Sequence, residues 1–216
     1  SSKIIDELLK KTLNKYEKFI FIYHKNKPKI KNKKFKFFKF NFTKTNNVTS
    51  LKKFLEKNNC KIDAIVATAS EKLIFKNFFD VKREEIINNI NIQTIGVYEI
   101  LKSIKDLIIE SKPTIVLLGS EVLSSKPPKK MLSYIIGKFS LLGFFKVLSE
   151  ELGSEGIRVN MISPGIVDEL SNSFPEISKE MFKVNSSLGK LVKVNDIVNI
   201  INFLISKKSR NITGQN

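Results

Sequence analysis

Apolar spacing along this chain switches repeatedly between the period of a helix and that of a strand, and no segment repeats internally. Ile4 to Leu13 carries apolar residues at helical spacing, and Phe19-Ile20-Phe21-Ile22-Tyr23 follows as a short continuous apolar run. Phe35 to Phe42 reads as a strand, Val48 to Asn58 as a helix, and Ile62 to Thr68 as a strand of the all-apolar kind covered on both faces. Arg83 to Ile109 is a long helical stretch, Thr114 to Leu118 a strand, Met131 to Leu152 a long helix, and Arg158 to Ser163 a strand ending at Pro164-Gly165. Such alternation constrains the chain to parallel pairing, because parallel neighbours need a crossover and right-handed crossovers wind helices onto both faces. The expected fold is α/β, a doubly wound parallel sheet with helices on both faces, and 216 residues suit a single domain.

In that architecture ligands bind beyond the carboxyl ends of the strands. The less regular stretch Asp168 to Leu188 follows such an end, where either a substrate-covering flap or an ordinary connection with one short helix is expected.

The net charge of +17 invites a nucleic-acid reading, since clustered cations gain affinity for phosphate by releasing counterions. Of the 38 basic residues, however, only Arg83, Arg158 and Arg210 are arginine, the side chain whose planar fork suits phosphate and base edges. Lysine travels here with abundant Asn, Ile and Phe, the mix of an A+T-rich coding sequence. The densest run, Lys25 to Lys39, interleaves lysine with Phe35, Phe37 and Phe38, and reads as a loop feeding a buried strand rather than a stacking platform. No specific nucleic-acid partner is expected.

No uninterrupted apolar run approaches the roughly 20 residues that cross a bilayer, so no membrane span is expected. Residues 1 to 7 lack a secretory pattern and Cys60 has no second cysteine to pair with, which fits a cytoplasmic protein.

Tyr134-Ile135-Ile136-Gly137-Lys138 puts a tyrosine and a lysine at i and i+4, on one helix face. Ser120 lies just past the strand Thr114 to Leu118, so three polar groups can converge where an α/β site opens. A tyrosine of reference pKa about 10 must fall by about 3 units to exchange protons near neutrality. An ammonium about 4 Å away contributes roughly 4 kcal/mol toward the tyrosinate at an effective dielectric near 20. A serine hydroxyl can hold a carbonyl oxygen as charge develops on it.

These residues resemble the short-chain dehydrogenase/reductase family, most strongly between Asn88 and Pro164. The resemblance implies a Rossmann-like fold in which Asn91, Ser120, Tyr134 and Lys138 form the catalytic tetrad, with Asn91 ordering a relay water and Lys138 also holding the nicotinamide ribose. Gly156-Ile157-Arg158-Val159-Asn160-Met161-Ile162-Ser163-Pro164-Gly165 is similar to the family's strand and its PG turn by the nicotinamide, and Ile212-Thr213-Gly214-Gln215 to a late signature. The cofactor residues implied are Ser2, Lys3, His24, Lys25, Asn41, Ala67, Ala69, Lys138, Pro164, Gly165 and Val167.

The cofactor side departs from the family's pattern. Its first strand and first glycine have no counterpart here, nor does its last strand, and Lys3 and Ile5 stand at later glycine positions of the TGxxxGxG turn. Asn41 replaces an adenine-binding aspartate, Ala67-Thr68-Ala69-Ser70 replaces NNAG, and Glu169 replaces a threonine. Tyr23-His24-Lys25 offers no acid for a ribose 2′-hydroxyl, while His24, Lys25 and Lys27 can meet a 2′-phosphate, which favours NADPH (NADP) over NAD.

The resemblance therefore implies an NADPH-dependent reductase acting on a small-molecule or acyl-carrier-bound ketone or aldehyde, closest in flavour to 3-oxoacyl-carrier-protein reductases. It also implies a homodimer or homotetramer. The alternative is a non-catalytic binding or assembly protein on the same fold, favoured by the altered glycine turn and opposed by the complete tetrad.

Overall fold

A computed structural model of the chain describes residues 2–25, 27–28, 30–43, 48–58, 61–123, 126–172, 174 and 176–216, with the Ser2 side chain outside that description. Ser1 and Cys60 also lie outside it. In chain order the elements are α1 (Ser2–Thr12), β1 (Phe19–Tyr23), β2 (Phe35–Lys39), α2 (Val48–Lys57), β3 (Ala64–Ala67), α3 (Arg83–Ile90), α4 (Gly96–Ser103), α5 (Lys105–Ser111), β4 (Thr114–Leu118), α6 (Leu132–Gly153), β5 (Val159–Ile162), α7 (Glu176–Asn185) and α8 (Val194–Leu204).

Every strand pairing is parallel, as the alternation requires. The pairing falls into two groups, β1–β2 and β3–β4–β5, and among the described residues no backbone hydrogen bond joins β1 to β3. Both flanking strands are only half-buried, although their sequences FIFIY and AIVA are apolar, whereas β5 is buried throughout.

Period-two alternation along β4 sends its side chains to two cores. Ile115 and Leu117 join Phe40, Leu51, Leu101, Leu141 and Phe145 on one face. Val116 faces Ile4 and Leu8 of α1 and Ile197, Val198 and Ile201 of α8 on the other. Each such fully buried aliphatic side chain contributes about 1.5–3 kcal/mol, so helices on both faces follow from the strand pattern.

Several element boundaries differ from the sequence reading. The stretch Arg83 to Ile109 is not one helix: residues Asn91–Ile95 form a π-turn, and the chain bends again at Ile104, which is held in the core. β2 stops at Lys39 because the Asn41 side-chain oxygen accepts from the Thr43 N–H (3.0 Å) and hydroxyl (2.8 Å), turning the chain. Asp168 to Leu188 contains a 3-10 turn at Asp168–Leu170 and then α7. Phe35 and Phe37 pack ring to ring with Phe19 and Phe21, as expected of a strand rather than a stacking platform. Helix α6 is long and apolar enough by composition to cross a membrane, a test that the core helices of globular proteins also pass. Its Leu141 and Phe145 are spent instead in the core.

Candidate active site

Strand β4 delivers Ser120 to the carboxyl edge of the sheet. Its ladder with β5 continues past both strands, with Gly119 N–H donating to the Ile162 carbonyl (2.7 Å) and Glu121 N–H to the Pro164 carbonyl (3.0 Å). Ser120 and the Pro164-Gly165 turn are therefore neighbours by backbone geometry.

Helix α6 supplies Tyr134 and Lys138 one turn apart, and it lies unusually close to α3 and the π-turn. An ideal Cβ at Gly137 would stand 2.6 Å from Gln93 Nε2 and 3.1 Å from Asn89 Cβ, so a side chain there would force its neighbours to shift. Asn91 opens the π-turn, whose backbone packs on α6, and its own side chain forms no hydrogen bond among the described residues.

Lys138 is 3% exposed and donates from Nζ to the Leu118 carbonyl at 2.7 Å. Burial pulls its pKa down to about 8. The ammonium stands 5.7 Å from the Tyr134 ring centroid. The Ser120 side chain lies near enough to act on the Tyr134 hydroxyl and Lys138 stands beside the tyrosine ring, so serine, tyrosine and lysine do converge. The tyrosine is nevertheless not brought toward neutrality. Burial pushes its hydroxyl up, the Ser120 side chain draws it down, and the Glu121 charge pushes it up again, for a net rise. Lys138 does not lower it, and the lysine ammonium donates instead to the Leu118 carbonyl.

The proposed cofactor residues occupy the same edge of the sheet. Lys3, in the first turn of α1, donates to the Glu169 carbonyl at 2.6 Å, which places the α1 N-terminus at the carboxyl ends of the strands. The Glu169 carboxylate accepts from the Val194 N–H at 3.0 Å and so caps α8. A recess of about 400 Å³ beside them is lined by Lys3, Asp6, Glu7, Lys10 and Glu169, among others. His24 follows β1 with its ring edge toward Phe42, and Lys25 pairs with Glu71 at 3.8 Å. Ala67 ends β3 opposite Leu117, Ala69 packs on the first core, and Val167 bridges to Val192. Ser2 begins α1, and nothing further of it is described.

A dinucleotide fits this set unevenly. The nicotinamide and ribose end would meet a buried ammonium and two hydroxyls. The pyrophosphate end would meet the free N–H groups of the α1 N-terminus and Lys3, in a recess that also holds three carboxylates. Sequence reasoning missed Glu121. An acid directly after Ser120 was the available signal.

The family described as enoyl-(acyl carrier protein) reductase matches residues 23–216. The chain is 29% identical over 180 residues to the 3-oxoacyl-[acyl-carrier-protein] reductase FabG of Buchnera aphidicola, covering 80% of this chain and 71% of that protein. It is 28% identical over 155 residues to the uncharacterized oxidoreductase YmfI of Bacillus subtilis, covering 71% of this chain and 64% of that protein. Among solved structures, 4-hydroxyisoleucine dehydrogenase complexed with NADH superposes with TM-score 0.88 at 25% identity, over 99% of this chain and 90% of that one. A short chain dehydrogenase from Leptospira borgpetersenii with bound NAD+ superposes with TM-score 0.86 at 25% identity, over 99% and 85%.

Proposed function

This chain belongs to the short-chain dehydrogenase/reductase family, a family of NAD(P)-dependent oxidoreductases, and on that premise we propose that it reduces a ketone or aldehyde with Tyr134 as the proton donor. The observation that carries this reading is the convergence of Ser120, Tyr134 and Lys138 at the end of β4.

A reduced nicotinamide held by Lys138, Pro164, Gly165 and Val167 would supply hydride to the carbonyl carbon. Ser120 holds the carbonyl oxygen by hydrogen bonding. Tyr134 gives it a proton, completing the alcohol, and Lys138, held on the Leu118 carbonyl, fixes the helix face that carries the tyrosine. Asn91, on the π-turn beside α6, orders water behind the lysine.

NADPH is the preferred donor in this reading, supported by the absence of an acid at Tyr23-His24-Lys25. Lys138, Pro164, Gly165 and Val167 hold the nicotinamide half. Lys3 and Ser2 meet the phosphates, and Asn41, Ala67 and Ala69 line the adenine side. A small or acyl-carrier-bound carbonyl compound is the substrate. The net charge of +17 suits an acidic carrier, whose docking would make the activity salt-sensitive. Exposed Ile87, Ile95, Tyr98, Phe139 and Val147 on α3 to α6 support pairing of subunits through these helices.

A second reading, a non-catalytic binding protein, is favoured by Lys3 at a glycine position with its ammonium already bonded to Glu169. Calorimetric titration with NADPH and NADH separates the two. Micromolar NADPH binding, weaker for NADH, supports the reductase, and no binding of either makes the second reading the better one.

A further inference from the structure

More than half of the exposed large apolar side chains among the described residues fall in two short segments, Ile74 to Phe79 after β3 and Ile177 to Leu188 on and beyond α7. The two segments meet. The Phe75 ring packs edge to face on Phe174 (5.3 Å), and Phe174 on Phe182 of α7 (6.2 Å). Ser178 and Phe182 are half-buried, while Ile177, Met181 and Val184, spaced i, i+4 and i+7, form an apolar stripe on the outer face of α7. Phe78 and Phe79 are 69% and 94% exposed on the 3-10 turn Phe78–Asp80, so the turn projects two rings into solvent.

An apolar surface of this extent is disfavoured in water and marks a place of contact. Its charge narrows what the contact is. Residues 72–80, 126–130 and 176–190 hold eight lysines against three acids, Asp80, Glu176 and Glu180. Glu176 and Glu180 are already paired with Lys179 and Lys183. The Lys76 N–H donates to the Lys130 carbonyl (2.9 Å), which brings exposed Lys129 and Lys130 alongside the first segment, and exposed Lys190 follows Leu188. Apolar rings rimmed by lysine complement an anionic bilayer, into whose boundary the rings insert while the ammonium groups meet phosphates. The Phe78 and Phe79 rings stand out from the surface rather than lining a groove, which suits entry into a fluid surface better than a fit against a folded protein.

We propose that this surface docks on an anionic lipid bilayer, with Phe78, Phe79 and the outer face of α7 entering the acyl boundary and the surrounding lysines meeting the headgroups. The inference stands apart from the reductase reading, since docking needs neither cofactor nor carbonyl compound.

Cosedimentation with vesicles of phosphatidylcholine and phosphatidylglycerol in equal parts tests it, at about 0.1 M salt, where the attraction reaches about 10 Å. The protein is expected to bind these vesicles, and pure phosphatidylcholine roughly tenfold or more less tightly. Phe78→Ser with Phe79→Ser, and separately Lys129→Gln with Lys130→Gln, should each weaken binding by roughly tenfold or more. Lys36→Gln with Lys39→Gln, at exposed positions of β2 outside this surface, should change it by less than about threefold. Circular dichroism establishes that each variant is folded. Absence of vesicle binding, binding unchanged in the phenylalanine pair, or an equal loss in the β2 pair overturns the proposal. Absence of vesicle binding together with a dimer that the phenylalanine pair converts to monomer, by light scattering, assigns the surface to a second copy of the chain instead.

Discussion

Lys138 donates from Nζ to the Leu118 carbonyl at 2.7 Å while only 3% exposed, so a buried cation joins the middle of α6 to the end of β4. That bond fixes the lysine, and with it the helix face that carries Tyr134, relative to Ser120. It also makes the site costly to fold, because a desolvated ammonium is disfavoured against the same group in water.

Replacing the cation should therefore stabilise the protein as it removes activity. The folded pKa of Lys138, about 8, lies below the reference 10.5. Its destabilising contribution is fully present below pH 8 and fades as pH rises from about 8 to 10.5. At pH 7 it amounts to roughly 3 kcal/mol, against which Lys138→Met leaves the Leu118 carbonyl without its donor, a loss of about 1–2 kcal/mol. Urea denaturation should show the variant about 1–2 kcal/mol more stable at pH 7, with the advantage shrinking toward pH 10.5. An advantage independent of pH would contradict this.

The same titration should appear in the kinetics. In the proposed reduction the charged lysine holds the nicotinamide ribose, so kcat/KM for a ketone is expected to be level below about pH 7 and to fall as Lys138 loses its proton above about pH 8. Lys138→Arg, if it retains measurable activity, moves that fall to higher pH. An unchanged profile in the arginine variant would assign the titration to another group.

Gly137→Ala should cost about 1–3 kcal/mol, because the new methyl meets Gln93 Nε2 at 2.6 Å and pushes α6 away from α3. Thermal denaturation of Gly137→Ala with and without Gln93→Ala measures this directly. The second substitution is expected to recover part of the loss, but not the part due to the Asn89 carbonyl at 3.2 Å.

Arg158 binds the Ile212 carbonyl (3.1 Å), the Thr114 hydroxyl (2.6 Å) and the Leu204 carbonyl (2.8 Å). Arg158→Leu leaves these acceptors without their donor and should destabilise by about 2–4 kcal/mol. KM for ketone and cofactor should stay unchanged, because the residue stands behind the sheet's working edge. A raised KM with normal stability would refute that placement.

The parallel architecture was legible in the sequence because period-two and helical spacing survive in the apolar residues alone, as in Thr114 to Leu118 and Val48 to Asn58. The π-turn at Asn91 was not, because its extra residue per turn comes from packing against α6 rather than from local propensity. Nor was the end of β2, which depends on where the Asn41 side chain finds its donors. The spacing of Ser120, Tyr134 and Lys138 pointed to their convergence but not to its electrostatics. Whether an ammonium acts on a tyrosine or on a strand carbonyl is settled by a few ångströms of side-chain direction. Glu121 went unremarked because an acid beside a serine has no meaning until Gly165 is seen beneath it.

The most direct test follows NADPH absorbance as the protein and its Tyr134→Phe variant act on ethyl acetoacetate, a neutral 3-oxo ester. The account predicts ketone-dependent NADPH consumption by the unaltered protein and a loss of roughly 10²–10⁴-fold in kcat on removing the phenolic hydroxyl, with the fold intact. Equal rates for both proteins, or no consumption by either, would contradict it.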